Sequence, residues 1–386
     1  MNKTMLSVLT GIILFIIPLK AFAHGTAEEH ASEGVINYWS YGLVASLLLL
    51  AIFLTLFVTA KTKMKYLNLK NKSNRDKQGS LKTRNKVFKW GSIISSLFVI
   101  VSLIALNVNG DDKVTFTHIH GLGYTSDGGE IYVPAHDGLR VYKDGSWAIP
   151  AEGNSNDYMG FTMFENGFYS SGHPGPNSDL PNPLGIVRST DKGKTVETLG
   201  LTGEVDFHGM TVGYETEEFY VFNPAQNSQM DQPGFYYSTD QAKTWKQSEL
   251  AGIEGQAIAL AAHPTEAGVV AIGTDQGVFL SKDHGDSFEK LSISGAVSAV
   301  SFGHQNNLLV ATQTDKVSLF QIDLATKETV KQSVPDLGED AISYIKQNPV
   351  NQDEFVFATN NRSIYMSNDG GKTWVQSVDK GEAITN

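Results

Sequence analysis

Three apolar stretches open the chain, and after them the hydrophobic pattern changes character. Tyr41–Ala60 (YGLVASLLLLAIFLTLFVTA) and Trp90–Val108 (WGSIISSLFVIVSLIALNV) carry no charge. Each predicts a helix long enough to span a bilayer. Trp39, Tyr41 and Trp90 stand near their ends, where amphipathic rings favour the membrane interface. The first stretch, Met5–Pro18, is short for a span. Lys3 precedes it and Ala21-Phe22-Ala23 follows, which predicts an export signal over residues 1–23 cleaved before His24. From Asp111 onward, short alternating runs rich in Val, Ile, Phe and Tyr are broken by Gly, Asn and Asp. That punctuation predicts an all-β region over 111–386.

Charge sharpens the division. Residues 61–89 hold 11 Lys/Arg (61, 63, 65, 70, 72, 75, 77, 82, 84, 86, 89) against Asp76 alone, a net of 11 − 1 = +10. Residues 111–386 hold 17 Lys/Arg against 37 Asp/Glu, a net of 17 − 37 = −20. A basic block between two uncharged spans is a topology signal. It predicts a cytoplasmic loop over 61–89, a short extracellular segment over 24–40, and an extracellular β domain held at the cell membrane by helices at 41–60 and 90–108. The same block is not read as a nucleic-acid patch, and the acidic remainder of the chain argues against such a partner. There is no cysteine, so disulfide scaffolds, thiolate metal sites and cysteine nucleophiles are excluded.

Stacking the β region on itself exposes a repeat. Ser281-Lys-Asp-His-Gly-Asp-Ser-Phe288 echoes Ser367-Asn-Asp-Gly-Gly-Lys-Thr-Trp374. Further copies run Ser189-Thr-Asp-Lys-Gly-Lys-Thr-Val196 and Ser238-Thr-Asp-Gln-Ala-Lys-Thr-Trp245, and a truncated one is Tyr142-Lys-Asp-Gly-Ser-Trp147. The form S-x-D-x-G-x-[ST]-[WF] is hairpin-turn chemistry. Asp191, Asp240, Asp283 and Asp369 accept from turn amides, and Gly193, Gly285 and Gly371 allow positive φ. Trp245, Phe288 and Trp374 fold back onto the strands. On these residues the chain resembles the Asp-box (BNR) repeat superfamily, which includes sialidases, sortilin-type VPS10 propellers and photosystem-assembly-factor propellers. The run HIHGLGY, HDGL, DYMGF, SSGHP, DLPNPLG and DFHGM is also similar to exported bacterial proteins loosely labelled glycosyl hydrolases. The resemblance implies a β-propeller with structural Asp-boxes. Working back from each box puts the innermost strands near His118, Asp157, Asp206, Gln256, Val297 and Ala341. That predicts six four-stranded blades; a seventh would need a blade built partly from Asp111–Phe116, and the residues are too few.

Strand order then sorts residues between the two faces. In an antiparallel blade the innermost strand starts where the second ends, and the box lies on the opposite face. One mouth therefore gathers His118, His120, Asp157, Asp206 and His208 from strand starts, with His136, Asp137, His173 and Asn223 from second-strand ends. Imidazole and carboxylate together form a ligand set for copper or zinc, with His118, His120 and His208 the first metal candidates. The same set suits a polar organic ligand or a protein partner, and hydrogen bonds between blades would equally explain it. His24 and His30, with the new terminal amine, form a second metal candidate. A sialidase needs three clustered arginines; the β region has only Arg140, Arg188 and Arg362, so that activity is rejected. Another glycoside hydrolase could draw a carboxylate pair from Asp137, Asp157 and Asp206. An assembly or scaffolding factor acting by surface contacts is the third reading.

Overall fold

A computed structural model describes residues 38–70, 72–108, 113–150, 155–176 and 178–384. The expected export signal and the donors His24 and His30 lie outside the described residues. The chain divides into two compact units, Met1–Asp112 and Lys113–Asn386.

In the first unit, helix α1 (Tyr38–Lys65) and helix α2 (Lys72–Val108) pack against each other. Both are long and apolar enough to cross a membrane. The basic stretch read as a loop is mostly helical. Lys61, Lys63 and Lys65 finish α1, where cations favour the helix C-terminus, and residues 72–89 begin α2. Lys, Arg and Gln are good helix formers, so propensity carries the helices past the apolar spans. Small and polar residues, with Phe88, are buried in the pair, and large apolar side chains face outward. Ser46, Ser92, Ser95 and Ser102 are buried, while Leu48, Val58, Leu97 and Phe98 are exposed. Gly91 sits against the Phe53 ring, where a Cβ would stand 2.6 Å from Cδ1. Small residues at the seam and large apolar ones outside is how helices pack in lipid.

The second unit is a six-bladed β-propeller. Its sheets run in chain order from the innermost strand outward: β1–β4 (Gly123–Tyr124, Ile131–Ala135, Gly138–Lys143, Ser146–Ala148), β5–β8 (Asp157–Phe164, Gly167–His173, Ile186–Ser189, Glu197–Gly200) and β9–β12 (Met210–Val212, Phe219–Asn223, Gly234–Ser238, Lys246–Gln247). Blades 4 to 6 follow as β13–β16 (Ala257–Ala262, Val270–Thr274, Gly277–Ser281, Glu289–Lys290), β17–β20 (Val297–Phe302, Asn307–Gln313, Val317–Asp323, Thr329–Gln332) and β21–β25 (Ile342–Gln347, Phe355–Thr359, Ile364–Ser367, Val375–Asp379, Glu382–Ala383). The sixth sheet carries the extra short strand β25. It clasps the start of the ring, with Phe116 N–H donating to Gly381 O (2.7 Å) and Ala383 N–H to Val114 O (2.9 Å).

The hydrophobic core is six separate clusters, one at each interface between neighbouring blades. Strands such as β2, β14 and β22 are buried on both faces, which is why they read as nearly continuous apolar runs. Four Ser-x-Asp turns join third to fourth strands in blades 2, 3, 4 and 6. In each, the Ser hydroxyl donates to the Asp carboxylate (2.7–2.9 Å) and accepts an amide four residues on (2.8–3.0 Å).

Innermost strands begin within one residue of expectation in blades 2, 4, 5 and 6. Blades 1 and 3 start late, at Gly123 and Met210. In blade 1 the ladder ends where Pro134 has no N–H to give. In blade 3 the Phe207 amide leaves its own blade and donates to Ser171 Oγ of blade 2 (2.9 Å).

Candidate functional site

Those two late starts shape the mouth. The segments 117–122 and 205–209 are irregular, so their side chains converge through loops rather than by strand alternation. His118 and His120 precede β1, and the His120 amide donates to Pro134 O (3.0 Å). His136 follows β2. Asp157 opens β5 and lies in register with His173 at the end of β6. Asp206 and His208 precede β9.

All seven of these side chains are brought together. Asp157 Oδ2 lies 2.7 Å from His136 Nδ1, and Asp157 Oδ1 lies 3.4 Å from His120 Nε2. The rings of His118, His120 and His136 stand 5.9–6.2 Å apart by centroid. One blade on, Asp206 Oδ2 lies 2.7 Å from His208 Nε2 and 3.3 Å from His173 Nε2. Donor atoms of His120, His136 and Asp157 fall within 4.8 Å of one another, close enough to hold one metal ion.

Burial sets the electrostatics. It pushes the His120 imidazole down to about 4, with His118, His136 and His208 acting in the same direction. It also raises the Asp157 carboxyl, against the pull of His136 and His173. The hydrogen bond to Asp206 raises His208. At the mouth, three buried atoms among the described residues have no hydrogen-bond partner: His120 Nε2, Asp157 Oδ1 and Asp206 Oδ1. An orphaned buried polar atom costs about 1–3 kcal/mol, and three in one cluster mark a place built for something more.

Two expected members stand apart. Asp137 turns to the buried Arg140 (2.6 Å) and accepts from Thr117 Oγ1 (3.4 Å), so it serves as a counter-ion. Asn223 is buried and anchors its own loop, donating to Gln232 O (2.9 Å) and accepting from Asn227 (3.0 Å). The glycines that follow the mouth residues serve packing. A Cβ on Gly121 would stand 2.7 Å from Phe161 Cβ, and one on Gly160 2.7 Å from both Phe207 O and Met210 Cβ. His263, His284 and His304 bond in turns of the opposite face, to Asn306, Glu218 and Asn348 respectively.

Sequence reasoning missed Asn182. Its Oδ1 lies 2.7 Å from His173 Nδ1 and fixes that ring from behind. Its place in the long Pro-rich loop after His173 was the available signal. It also missed the central channel of about 1010 Å³ that opens beside His120 and His208 and carries Lys346 on its wall. Burial lowers the Lys346 ammonium to about 8.

No family model matches the chain, and no curated protein does. Several solved structures are similar to it over part of the chain. A GH74 enzyme from Niastella koreensis is 16% identical at a TM-score of 0.47, over 69% of this chain and 46% of that one. YCF48 from Cyanidioschyzon merolae is 15% identical at 0.44, over 70% and 89%. A gluconolactonase from Xanthomonas campestris is 11% identical at 0.47, over 66% and 86%. This chain thus spans about half the length of the Niastella enzyme. Likeness at this level concerns the propeller alone.

Proposed function

We propose that this protein is a membrane-anchored, extracellular propeller that binds a transition-metal ion, copper or zinc, at its His/Asp mouth. The observation that carries the reading is the pair of buried, unpartnered atoms His120 Nε2 and Asp157 Oδ1, 3.4 Å apart, with His136 on the other carboxylate oxygen. Neutral imidazoles and a carboxylate are the donors these ions take. His118, at the rim, is the fourth donor within reach of the same cluster. The fit is good: a divalent cation would satisfy both orphaned atoms and the buried negative charge together.

Anchoring rests on α1 and α2, with apolar side chains outward and serines inward. The +10 stretch between the spans assigns it to the cytoplasm and the propeller to the other side. The four Ser-x-Asp turns are Asp-boxes in this reading, structural and remote from the ligand. A glycoside hydrolase needs a carboxyl free to attack or to give up a proton. Asp157 and Asp206 each already face two imidazoles within 3.4 Å, which favours the metal reading over the hydrolase.

Calorimetry with Cu(II) and Zn(II) on the detergent-solubilised chain tests this. Binding at neutral pH, with the ion at His120, His136 and Asp157 lost in His120→Ala with Asp157→Asn and binding untouched by His263→Ala, is the expected result. No heat with either ion would overturn it.

A further inference from the structure

The mouth repeats itself one blade on. His136 follows the second strand of blade 1 and meets Asp157, which opens blade 2. His173 ends the second strand of blade 2 and meets Asp206, just before the first strand of blade 3. Each carboxylate also has a second imidazole, His120 for Asp157 and His208 for Asp206, and each keeps one oxygen buried and unpartnered. The series stops there, because Asn223 holds its own loop and Gln256 precedes the first strand of blade 4.

With His173 neutral, the second set contains a conflict that hydrogen bonding alone leaves open. The Asn182 amide oxygen can only accept, so His173 must donate its Nδ1–H to it. In the neutral ring Nε2 is then a bare lone pair. It points at Asp206 Oδ2, 3.3 Å away, which is also an acceptor. His208 Nε2 donates to that same oxygen, and Oδ1 has nothing. A cation is what belongs between His173 Nε2 and the Asp206 carboxylate. An outer amide that fixes the imidazole while the inner nitrogen faces a carboxylate is the arrangement that orients metal-binding histidines.

We propose that His173, Asp206 and His208 hold a second metal ion beside the first, with Asn182 as the positioning residue for His173, making the mouth a two-metal centre. This rests on the metal reading above and extends it. The sets adjoin: the Asp206 charge acts on both His120 and Asp157. Two ions would balance the charge of the two carboxylates.

The test counts ions. The full chain carries His24→Ala and His30→Ala to remove the N-terminal donors, is loaded with Zn(II), desalted and assayed for bound zinc, with affinities from calorimetry. Two equivalents are expected. His173→Ala and Asp206→Asn should each bind one, and Asp157→Asn should retain the other. Asn182→Leu should weaken only one of the two affinities, by about 10- to 100-fold, and Asn182→Asp should restore it. One equivalent in the parent, kept in Asp206→Asn, would refute the second ion and leave the first standing: His173 then carries only a proton. Loss of all zinc from both His173→Ala and Asp206→Asn at an unchanged melting temperature would mean one shared ion, and overturns the proposal too. No zinc in the parent would end the metal reading itself.

Discussion

Replacing Ser281 by Ala should destabilise the propeller without touching the mouth. The Ser281 side chain is almost fully buried. Its hydroxyl accepts the Gly285 amide at 2.8 Å and donates to Asp283 Oδ1 at 2.7 Å. Asp283 keeps Ser287, whose amide lies at 2.9 Å, so its loss is small. Gly285 N–H is buried and gains no other partner. Leaving it unpaired costs about 1–3 kcal/mol. His284 (φ 60°) and Gly285 (φ 92°) hold left-handed backbone that these bonds keep in place. With an unfolding entropy of about 2.1 cal/mol/K per residue, a propeller of this size should lose about 2–5 °C in melting temperature. Thermal unfolding followed by circular dichroism, on the metal-free chain, measures the shift. Metal calorimetry on the same variant should be unchanged. An unaltered Tm would show that the hydroxyl bonds carry no net stability. An unaltered Tm with lost metal binding would show that the functional face has been assigned to the wrong end of the propeller.

Trp374→Ala should cost about 3 kcal/mol in a urea melt, since the ring packs on Phe357 at 4.6 Å and its Nε1–H donates to Ser333 O of the blade-5 segment at 2.8 Å; no loss would mean the turn aromatics are ornamental. Acid should weaken the metal-free propeller in two windows. The His120 pKa falls from 6.5 unfolded to about 4 folded, so the unfolded chain takes the proton first and stability declines from about pH 6.5 down to about 4. His208, raised by Asp206, works in the opposite sense. Side-chain hydrogen bonds from Thr244 and Thr373, with the matching amides, hold Asp240 and Asp369 at about 2. Their stabilisation is present above about pH 4 and is lost as pH falls toward 2. Urea melts at pH 7, 5 and 3 on parent and His120→Asn check both, and a variant that matches the parent at pH 5 would contradict the first window. Protease added to intact cells should remove the propeller and spare residues 61–89; the reverse would invert the topology.

Much of this was legible because the turn chemistry repeats. Ser, Asp and Gly at fixed offsets marked the third-to-fourth-strand turns, and blade spacing followed from them. What failed was local hydrogen-bond economy. No strand rule says that Pro134 ends a ladder, or that the Phe207 amide defects to Ser171. The convergence of five histidines on two aspartates followed from strand order, which depends only on antiparallel geometry. The departures of Asp137 and Asn223 did not, because each is taken by a nearby group, Arg140 or the Gln232 carbonyl, whose reach only coordinates reveal. The helical state of the basic stretch was readable from propensity, which charge counting set aside.

The blades are contiguous in sequence, and the converging side chains all lie between His118 and His208. A chain that emerges from its N-terminus therefore delivers every one of these groups while half the ring is still to come. Three blades with three interface clusters' worth of apolar surface then wait with two open flanks. The contact between Val114–Phe116 and Gly381–Ala383 closes the chain across nearly the whole domain and so carries the largest loop-closure demand. Position along the chain thus separates two features that a finished ring conceals: the polar mouth is drawn from one contiguous stretch, whereas the circle is sealed between the two ends of the domain.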